Sequence, residues 1–185
     1  MSNIVTVHEV GLRDGLQNQP KHVPTQGKIE ILNALIASGI TSIEATSFVS
    51  PKAVPQMADA TDLYSRLPSD DSIHFEALVP NEKGYELAVN AGAKTIALVL
   101  ASTNTMNRKN INMTLDHALN VNINVIGRAK AEGVRARSYI STALHCPYEG
   151  EVKPSIVFDI AEKLHSAGAD ELVIADTTGG GNPAQ

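Results

Sequence analysis

The sequence predicts an α/β protein whose parallel strands belong to a (β/α)8 TIM barrel, with about six of the eight βα units present. The first observation behind this prediction is a steady alternation of short apolar segments with helix-like segments along the 185 residues. The second is that carboxylates follow three of the strands. The third is a joint in which a helix ends in a glycine that leads into an apolar strand. This joint occurs at Gly39, Gly92, Gly133 and Gly168.

Six segments are predicted as strands because they are short, β-branched or aliphatic, and almost continuously apolar. Such segments are typical of a parallel sheet that is covered on both faces. They are Ile4–Val10, Ile40–Thr46, Ile73–Val79, Thr95–Leu100, Val134–Ala143 and Leu172–Asp176.

Five helices are predicted between these strands: Thr25–Ser38, Gln56–Leu67, Asn81–Ala91, Thr114–Glu132 and Pro154–Ala167. Thr25 is predicted as the N-cap of the first helix, because its hydroxyl can accept a backbone N–H of the first turn. Apolar residues at helical spacing form one stripe on that helix. They are Ile29, Leu32, Leu35 and Ile36. The second helix follows Pro55, and each later helix ends directly before a glycine.

The carboxylates help to choose between two architectures that share this pattern. Asp14 follows the first strand, Glu44 lies near the end of the second, and Asp176 ends the sixth. In an open doubly wound sheet the outer strands could stand several spacings of about 4.8 Å apart. In an eight-stranded barrel only two further strands separate the first from the sixth, and all three carboxylates face one mouth. The barrel is favoured if these residues cooperate.

The length of the chain adds an expectation about completeness. A barrel of this type takes about 250 residues, whereas six βα steps occupy all 185 residues here. Because six strands cannot close an eight-stranded barrel, we expect the N-terminal portion of a barrel domain, or a barrel whose missing part is supplied elsewhere. Residues 1–185 show no linker and no break in composition, so a single domain is predicted.

Composition narrows the class of protein. Fifteen Lys and Arg against twenty Asp and Glu give a net charge of −5, which offers no electrostatic footprint for nucleic acid or an anionic membrane. No apolar run approaches the roughly 20 residues of a membrane span, and the N-terminus shows no secretory signal. The single cysteine, Cys146, excludes an intrachain disulfide and fits a reducing compartment. We therefore expect a soluble cytoplasmic protein.

The loop after the first strand, Gly11–Asn18, is the first candidate site. Its two glycines allow a tight turn that presents Arg13 and Asp14 at the edge of the sheet. A carboxylate there can bind a divalent cation, and the adjacent guanidinium can stabilise an oxyanion. The alternative is that the two side chains simply pair and cap a helix.

Glu44 and Asp176 are candidates because each places a carboxylate in or beside an apolar strand. A buried carboxylate needs a partner, and the natural partner of Glu44 is Arg13 or a metal ion. A salt bridge from Glu44 to a surface lysine is the alternative, as is a helix-capping role for Asp176. The glycine run 179–181 after Asp176 fits neither phosphate-loop fingerprint.

The remaining polar residues give weaker indications. No two of the six histidines stand at metal-ligand spacing on one element, so each is interpreted as solvated or satisfied in the core. Cys146 is interpreted as a small buried hydrophobe. The connection Asn104–Asn112 carries Arg108 and Lys109, two cations that suit a phosphorylated ligand such as a coenzyme A tail. A solvated helix start explains the same residues.

Several motifs, in order along the chain, resemble the hydroxymethylglutaryl-CoA lyase family, within the wider group of metal-dependent barrel lyases and Claisen-type synthases. They are Gly11–Asn18 (GLRDGLQN), Glu44–Lys52 (EATSFVSPK), Val54–Met57 (VPQM), Lys109–Asn112 (KNIN), Cys146–Gly150 (CPYEG) and Asp176-Thr177. The Arg-Asp-Gly element indicates only the wider group, whereas SFVSPK with VPQM, and CPYEG, indicate the lyase branch.

The resemblance implies a retro-Claisen cleavage of (S)-3-hydroxy-3-methylglutaryl-CoA to acetyl-CoA and acetoacetate, a step of leucine degradation and ketone-body metabolism, assisted by Mg²⁺ or Mn²⁺. It implies that Asp14 binds the metal, that Arg13 stabilises the enolate, and that Glu44 orients Arg13 and the metal-bound water. Asp176 would lie close to the substrate hydroxyl and assist proton removal. Substrate or coenzyme A contacts are implied for Arg13 and, less directly, for the polar residues Gln17, Lys109 and Asn110.

The family also has elements that this chain lacks. Its further metal ligands are a His-x-His pair on the seventh strand and a later asparagine, and its catalytic acid is a cysteine after the eighth strand. Cys146 belongs to the CPYEG motif and does not take that role. We therefore expect the 185-residue chain to be inactive alone and the complete protein to be a homodimer. The alternatives are a related lyase, aldolase or Claisen synthase acting on another acyl-CoA, and a non-catalytic barrel remnant that binds a partner chain.

Overall fold

The structure of the protein is a computed structural model that describes residues 5–182. The chain divides into two compact units, residues 1–96 and 97–185. Strands and helices alternate in each of them. Whether residues 1–185 act as one domain stays a prediction.

The first unit consists of short parallel strands joined by helices. Its elements are β1 (His8–Glu9), a π-helical turn (Gly11–Gly15), α1 (Thr25–Ala37), β2 (Ser42–Ser47), a 3₁₀ turn (Pro55–Met57), α2 (Ala60–Ser65), β3 (His74–Leu78) and α3 (Glu82–Asn90). The strand order is β1-β2-β3, with Ser42 opposite both His8 and His74. Because neighbours in the sheet are consecutive in the chain, each helix crosses over by one strand, as in a barrel.

The core of this unit confirms the predicted stripe on α1. Leu32 is fully buried against Ile43 of β2, and Ile29, Leu35 and Ile36 pack around the same cluster. The expectation that Thr25 caps the helix is wrong. Thr25 is the first helical residue after the cap position at Pro24, because its hydroxyl donates to Oδ2 of Asp59 at 2.8 Å instead.

The second unit repeats the strand–helix pattern. Its elements are β4 (Thr95–Ala101, which begins in the first unit), α4 (Asn104–Ile111), α5 (Leu115–Glu132), β5 (Arg135–Ser141), β6 (His145–Cys146), β7 (Gly150–Glu151), α6 (Pro154–Ala167) and β8 (Glu171–Ile174). The parallel strands follow the order β4-β5-β8, and β6 and β7 form a separate antiparallel hairpin.

Most predicted elements are confirmed with small shifts at their ends. Helix α6 has the predicted bounds, and the four glycines that end helices have φ values of 94°, 96°, 74° and 105°. Strand β1 is shorter than predicted, with Ile4 outside the described residues. The second predicted helix is a 3₁₀ turn followed by the short helix α2.

Most of the segment Asn104–Asn112 is helix α4, so the alternative of a solvated helix start describes it better than a loop connection. The helix lacks an apolar stripe and is stabilised instead by Asn107, whose side chain is completely buried. The Asn107 amide nitrogen donates to the carbonyls of Ala101 and Thr103 at 2.7 and 2.8 Å, and its oxygen accepts the Ala101 N–H at 2.9 Å. Polar contacts of this kind leave no hydrophobic period in the sequence.

Within residues 5–182, no helix combines the length and the apolar character that crossing a bilayer requires.

Candidate active site

Arg13 and Glu44 form the centre of the candidate site in the first unit. Glu44 lies on β2 with its side chain completely buried, and its Oε1 accepts a hydrogen bond from Nε of Arg13. Nη1 of Arg13 donates to Oδ1 of Asp14 at 2.8 Å. The sequence predicts Arg13 or a metal ion as the partner of Glu44, and the structure shows Arg13 in contact with it.

Asp14 and Gln17 complete this cluster toward solvent. Nε2 of Gln17 donates to the same Oδ1 of Asp14 at 3.2 Å, and the Asp14 side chain is 54% exposed. All four predicted residues of this unit therefore lie in one hydrogen-bonded group. Asp14 presents the outer end of that group, whereas Glu44 is its buried end.

The backbone of the π-helical turn sets this arrangement. The N–H groups of Arg13 and Asp14 both donate to the carbonyl of Val10, at 3.1 and 2.7 Å. A π-helical turn is wider than an α-helical one and is frequent at functional sites. Leu12, between the two glycines, is buried in the core and anchors the turn. Consecutive residues can thus place the Arg13 side chain against Glu44 and leave Asp14 exposed.

Two residues that sequence reasoning did not select, His8 and Glu76, extend the cluster inward. Glu76 of β3 stands opposite Glu44 in the strand register, and Nε2 of His8 lies 3.3 Å from Oε1 of Glu76. Nδ1 of His8 lies 2.7 Å from the hydroxyl of Ser42. A signal was available for Glu76, because it interrupts an apolar strand just as Glu44 does.

Burial dominates the electrostatics of Glu44. It raises the pKa of Glu44 above the ordinary glutamate value; the Arg13 guanidinium opposes this rise, and the Glu76 carboxyl adds to it. Burial and the nearby Glu76 also raise the pKa of Tyr64, so that its phenol stays neutral.

His8, Glu44 and Glu76 could hold a metal ion by residue type and spacing, since one ligand atom of each lies within 4.8 Å of the others. However, Arg13 already donates to Glu44, and its positive charge disfavours a cation beside that carboxylate. The contact between Nδ1 of His8 and Ser42 leaves Nε2 as the ring atom that faces Glu76. We therefore interpret this group as a less suitable cation site than Asp14.

Asp14 fits a divalent cation better. Its Oδ1 is shared by Arg13 and Gln17, whereas Oδ2 accepts no hydrogen bond from any residue in the described part of the chain. A half-exposed carboxylate oxygen is the donor that Mg²⁺ or Mn²⁺ prefers. Asp14 can therefore supply one ligand of such an ion.

A bulge in β2 brings another polar group to the face of the sheet that carries Glu44. Glu44 pairs with Glu76 and Thr46 pairs with Ala77, so that Ala45 is an extra residue. Thr46 faces the helical layer, where its hydroxyl lies 3.7 Å from the sulfur of Met57. Ser47 then returns to the face of Glu44, because side chains alternate along a strand.

The hydroxyl of Ser47 is buried and has no hydrogen-bond partner among residues 5–182. A buried polar group without a partner is uncommon in proteins. Sequence reasoning did not identify Ser47, because the bulge that determines its face leaves no pattern in the sequence.

Asp176 lies in the second unit, after β8. Its Oδ1 accepts the Gly180 N–H at 3.1 Å and its Oδ2 accepts the Gly181 N–H at 2.9 Å. The glycine run therefore folds around this carboxylate, in agreement with the rejection of a phosphate loop. The helix-capping alternative is not observed, because these N–H groups belong to a turn.

Thr142, which follows the last residue of β5, has a strained backbone. It is hydrogen-bonded to Thr177, the residue after Asp176. The φ of Thr142 is +51°, a conformation that is unfavourable for a β-branched side chain. It is held there by its N–H, which donates to Thr177 Oγ1 at 3.0 Å, and by its carbonyl, which accepts the Ser102 hydroxyl at 2.7 Å. Backbone strain of this kind is concentrated at functional sites.

Lys109 and Asn110 lie on α4, and both are exposed. Nζ of Lys109 is 4.7 Å from the centre of the Tyr148 ring, a cation–π contact with the β6–β7 hairpin. Two more contacts join that hairpin to the start of α4. The Thr105 N–H donates to Glu149 at 2.8 Å, and Cys146 Sγ lies 3.1 Å from the Thr103 hydroxyl.

Cys146 is completely buried, as predicted for a small hydrophobe. The predicted site residues thus fall into two groups, one in each unit. Arg13, Asp14, Gln17 and Glu44 contact one another. Lys109, Asn110 and Asp176 belong to the second unit. The roles of all seven stay predictions.

Comparison with known proteins identifies the relatives of this chain. Residues 4–185 match the protein family described as HMGL-like. A rat (Rattus norvegicus) protein named hydroxymethylglutaryl-CoA lyase, mitochondrial, is 44% identical over 179 residues, which are 97% of this chain and 55% of the rat protein. Relatives named as mitochondrial and as cytoplasmic both occur.

Two solved structures show the same fold. The HMG-CoA lyase of Bacillus subtilis superposes with a TM-score of 0.93 at 39% identity, covering 98% of this chain and 61% of that one. An HMG-CoA lyase of Acinetobacter baumannii, solved in complex with coenzyme A and 3-methylmalate, gives 0.93 at 35% identity, covering 98% and 59%. The predicted incomplete (β/α)8 barrel is confirmed, and the chain spans about half to three-fifths of the length of these relatives.

Proposed function

Since the chain belongs to the HMGL-like family, we propose that it supplies the arginine–carboxylate part of the active site of a carbon–carbon lyase. The substrate would be 3-hydroxy-3-methylglutaryl-CoA, and the products acetyl-CoA and acetoacetate. The observation that carries this proposal is the buried pair of Arg13 and Glu44 beside the exposed Asp14.

The reaction has two proton steps and one bond cleavage. The C3 hydroxyl loses a proton, the C2–C3 bond breaks, and C3 becomes the ketone of acetoacetate. The electron pair of the broken bond forms the enolate of acetyl-CoA, and a proton added to C2 completes that product. The enzyme must therefore stabilise negative charge on the thioester oxygen and accept a proton from the hydroxyl.

Arg13 stabilises the enolate oxygen in this scheme. Glu44 engages its Nε and Asp14 its Nη1, while Nη2 has no hydrogen-bond partner in the described part of the chain. A guanidinium held at two of its nitrogens keeps the third oriented, so that little reorganisation is needed when charge develops. Glu44 acts as the orienting residue of Arg13.

Asp176 assists removal of the hydroxyl proton. The backbone N–H groups of Gly180 and Gly181 fix the position of its carboxylate. A divalent cation, Mg²⁺ or Mn²⁺, held by Asp14 would supply Lewis-acid polarisation of the substrate oxygens. Lys109 and Asn110 on α4, and Gln17 beside Asp14, would contact the substrate or its coenzyme A part.

The proposal covers the whole protein. We expect a cytoplasmic homodimer that binds an acyl-CoA but neither nucleic acid nor a membrane, and we expect residues 1–185 alone to be inactive, because they supply only part of the site.

The test is an assay of the full-length protein with Mg²⁺ or Mn²⁺. Release of acetyl-CoA and acetoacetate from 3-hydroxy-3-methylglutaryl-CoA is expected. Arg13→Lys should lower kcat about 10²–10³-fold, because lysine cannot be held at two nitrogens while a third contacts substrate. The control is Arg66→Lys, an exposed arginine paired with Asp62. Cleavage of another acyl-CoA in a substrate panel would favour a related lyase, and no cleavage of any acyl-CoA would refute the proposal.

A further inference from the structure

Lys28 of α1 is a completely buried lysine that the proposed mechanism does not use. Its Nζ donates to the carbonyl of Gln56 at 2.6 Å and to Oδ1 of Asp59. Oδ2 of the same carboxylate accepts the Thr25 hydroxyl at 2.8 Å. A buried ammonium group is costly without such partners. These contacts fix the 3₁₀ turn Pro55–Met57 against α1.

Gln56 extends this attachment to the candidate site. Its backbone carbonyl accepts from Lys28, and its side-chain Nε2 donates to the carbonyl of Gln19 at 2.8 Å. Gln19 ends the segment 14–19, which we call the site turn because it begins with Asp14. One residue therefore joins the buried lysine to the end of the site turn.

Hydrogen bonds inside the site turn connect its end to Asp14. The Gln19 N–H donates to the carbonyl of Leu16 at 3.1 Å, and the Gln19 side chain donates to the carbonyl of Gly15 at 3.3 Å. Nδ2 of Asn18 donates to the Asp14 carbonyl at 3.0 Å. Holding the last residue of the turn therefore restricts the backbone of its first residue.

Asp14 benefits from this restriction because its side chain is 54% exposed. An exposed carboxylate and its backbone lose freedom when they bind a cation, and a turn that is already fixed lowers this entropic cost. Removing a residue that directly orients a metal ligand typically costs about 10–100-fold in metal affinity. A residue that acts through the backbone should contribute less.

We propose that Gln56 is a positioning residue for the site turn: anchored by Lys28, it holds the Gln19 carbonyl and thereby fixes the backbone that carries Asp14. The inference rests on the proposed function, in which Asp14 is a ligand of Mg²⁺ or Mn²⁺. The VPQM motif then acts at the site through its glutamine, while its methionine, Met57, is buried in the core.

The attachment of the turn is tested by amide hydrogen exchange in the full-length protein without added metal. Gln56→Met keeps the length of the side chain but removes the donor to Gln19. We expect the N–H groups of Asp14 and Gln19 to exchange at least about fivefold faster, because exchange requires the turn to open. The control is Gln26→Met, the same change at an exposed glutamine of α1 that pairs with Glu30. Unchanged exchange in Gln56→Met would overturn the inference.

The consequence for the metal is measured as Mn²⁺ affinity, from the electron paramagnetic resonance signal of the free ion. Gln56→Met should raise the Kd of the folded protein for Mn²⁺ about fivefold, and Gln26→Met should leave it within twofold. Thr25→Val removes a hydrogen bond to Asp59 without touching Gln56, so it should lower the free energy of unfolding and leave Kd within twofold. An unchanged Kd in Gln56→Met, or an equal rise in Thr25→Val, would show a purely structural role and overturn the inference.

The two proposals can fail separately. Faster exchange and weaker Mn²⁺ binding in Gln56→Met, with a parent protein that cleaves no acyl-CoA, would refute the lyase assignment and leave the positioning role intact. An active parent whose exchange and Mn²⁺ binding are unaltered by Gln56→Met would refute the positioning role alone. A parent that binds no Mn²⁺ would overturn the positioning role whether or not it cleaves an acyl-CoA.

Discussion

The carboxylate of Asp176 accepts the backbone N–H of Gly181 at 2.9 Å, and the N–H of Gly180 reaches its other oxygen at 3.1 Å. The glycine run thus forms a turn whose backbone N–H groups bind the carboxylate of Asp176. Glycine is needed at position 180, because a Cβ there would lie 2.8 Å from Cβ of His145. The glycine run therefore lies closer to β6 than a residue with a Cβ atom at position 180 would allow.

Gly180→Ala should therefore displace the turn from Asp176. We expect kcat to fall at least tenfold, because the carboxylate loses a donor that orients it. We also expect the free energy of unfolding to fall by about 1–3 kcal/mol, because the added Cβ must be accommodated against Cβ of His145. The control is Gly127→Ala, which meets no atom within 4 Å inside helix α5. Unchanged kcat in Gly180→Ala would argue against a role of this turn in catalysis.

Asn107→Ala should destabilise the second unit. The change removes three hydrogen bonds and leaves the Ala101 N–H and two carbonyls buried without their partner. We expect a loss of about 2–3 kcal/mol in the free energy of unfolding, measured with urea. Asn110→Ala, at an exposed position of the same helix, should change it by less than about 0.5 kcal/mol. Equal effects of the two variants would contradict this account of α4.

The contact between Glu149 and the Thr105 N–H should make stability depend on pH. This N–H holds the pKa of Glu149 below its ordinary value. The folded state therefore favours the carboxylate, and the stabilisation is present above the unfolded pKa and lost as pH falls through the lower folded value. Because Glu149 is exposed, this stabilisation of the folded state should amount to about 0.5 kcal/mol or less.

The measurement compares Glu149→Gln with the parent in urea between about pH 3 and pH 6. The difference should be largest at the upper end of this range and vanish at the lower end. Glu151→Gln, a similar change in the same hairpin, is the control. A difference that grows toward low pH would have the wrong sign.

Lys109→Gln should weaken substrate binding if α4 contacts the coenzyme A part. KM for the acyl-CoA is expected to rise about tenfold with kcat unchanged, because a remote contact stabilises ground state and transition state equally. Tyr148→Leu keeps the charge but removes the ring 4.7 Å from Nζ, and should raise KM less. The control is Lys94→Gln, an exposed lysine of the first unit. A change in kcat alone would place Lys109 in the chemical step instead.

Local signals in the sequence were sufficient for most of the fold. A glycine with positive φ after a helix depends on a few neighbouring residues, and α6 could be bounded by Pro154 and Gly168 alone. By contrast, β6 and β7 have two residues each, too few to show a period. Helix α4 was missed because its main anchor, Asn107, is polar.

The candidate site likewise contains residues that local sequence signals identify and residues that depend on contacts between distant segments. Arg13 and Glu44 were identified because a charge in or beside an apolar strand is conspicuous, and their contact followed from neighbouring strands. The pairing of His8 with Glu76 depends on the register of three strands, which no single segment encodes. The left-handed Thr142 likewise depends on hydrogen bonds to residues far away in the chain.

The extra residue at Ala45 has a consequence for how this strand tolerates change. If β2 were regular and kept all its residues, side-chain alternation would put Thr46 on the face of Glu44 and Ser47 on the opposite face. Deleting residue 45 would leave both faces as they are, because Thr46 and Ser47 would still pair with Ala77 and Leu78. The bulge, more than the alanine side chain within it, therefore determines which hydroxyl shares a face with Glu44.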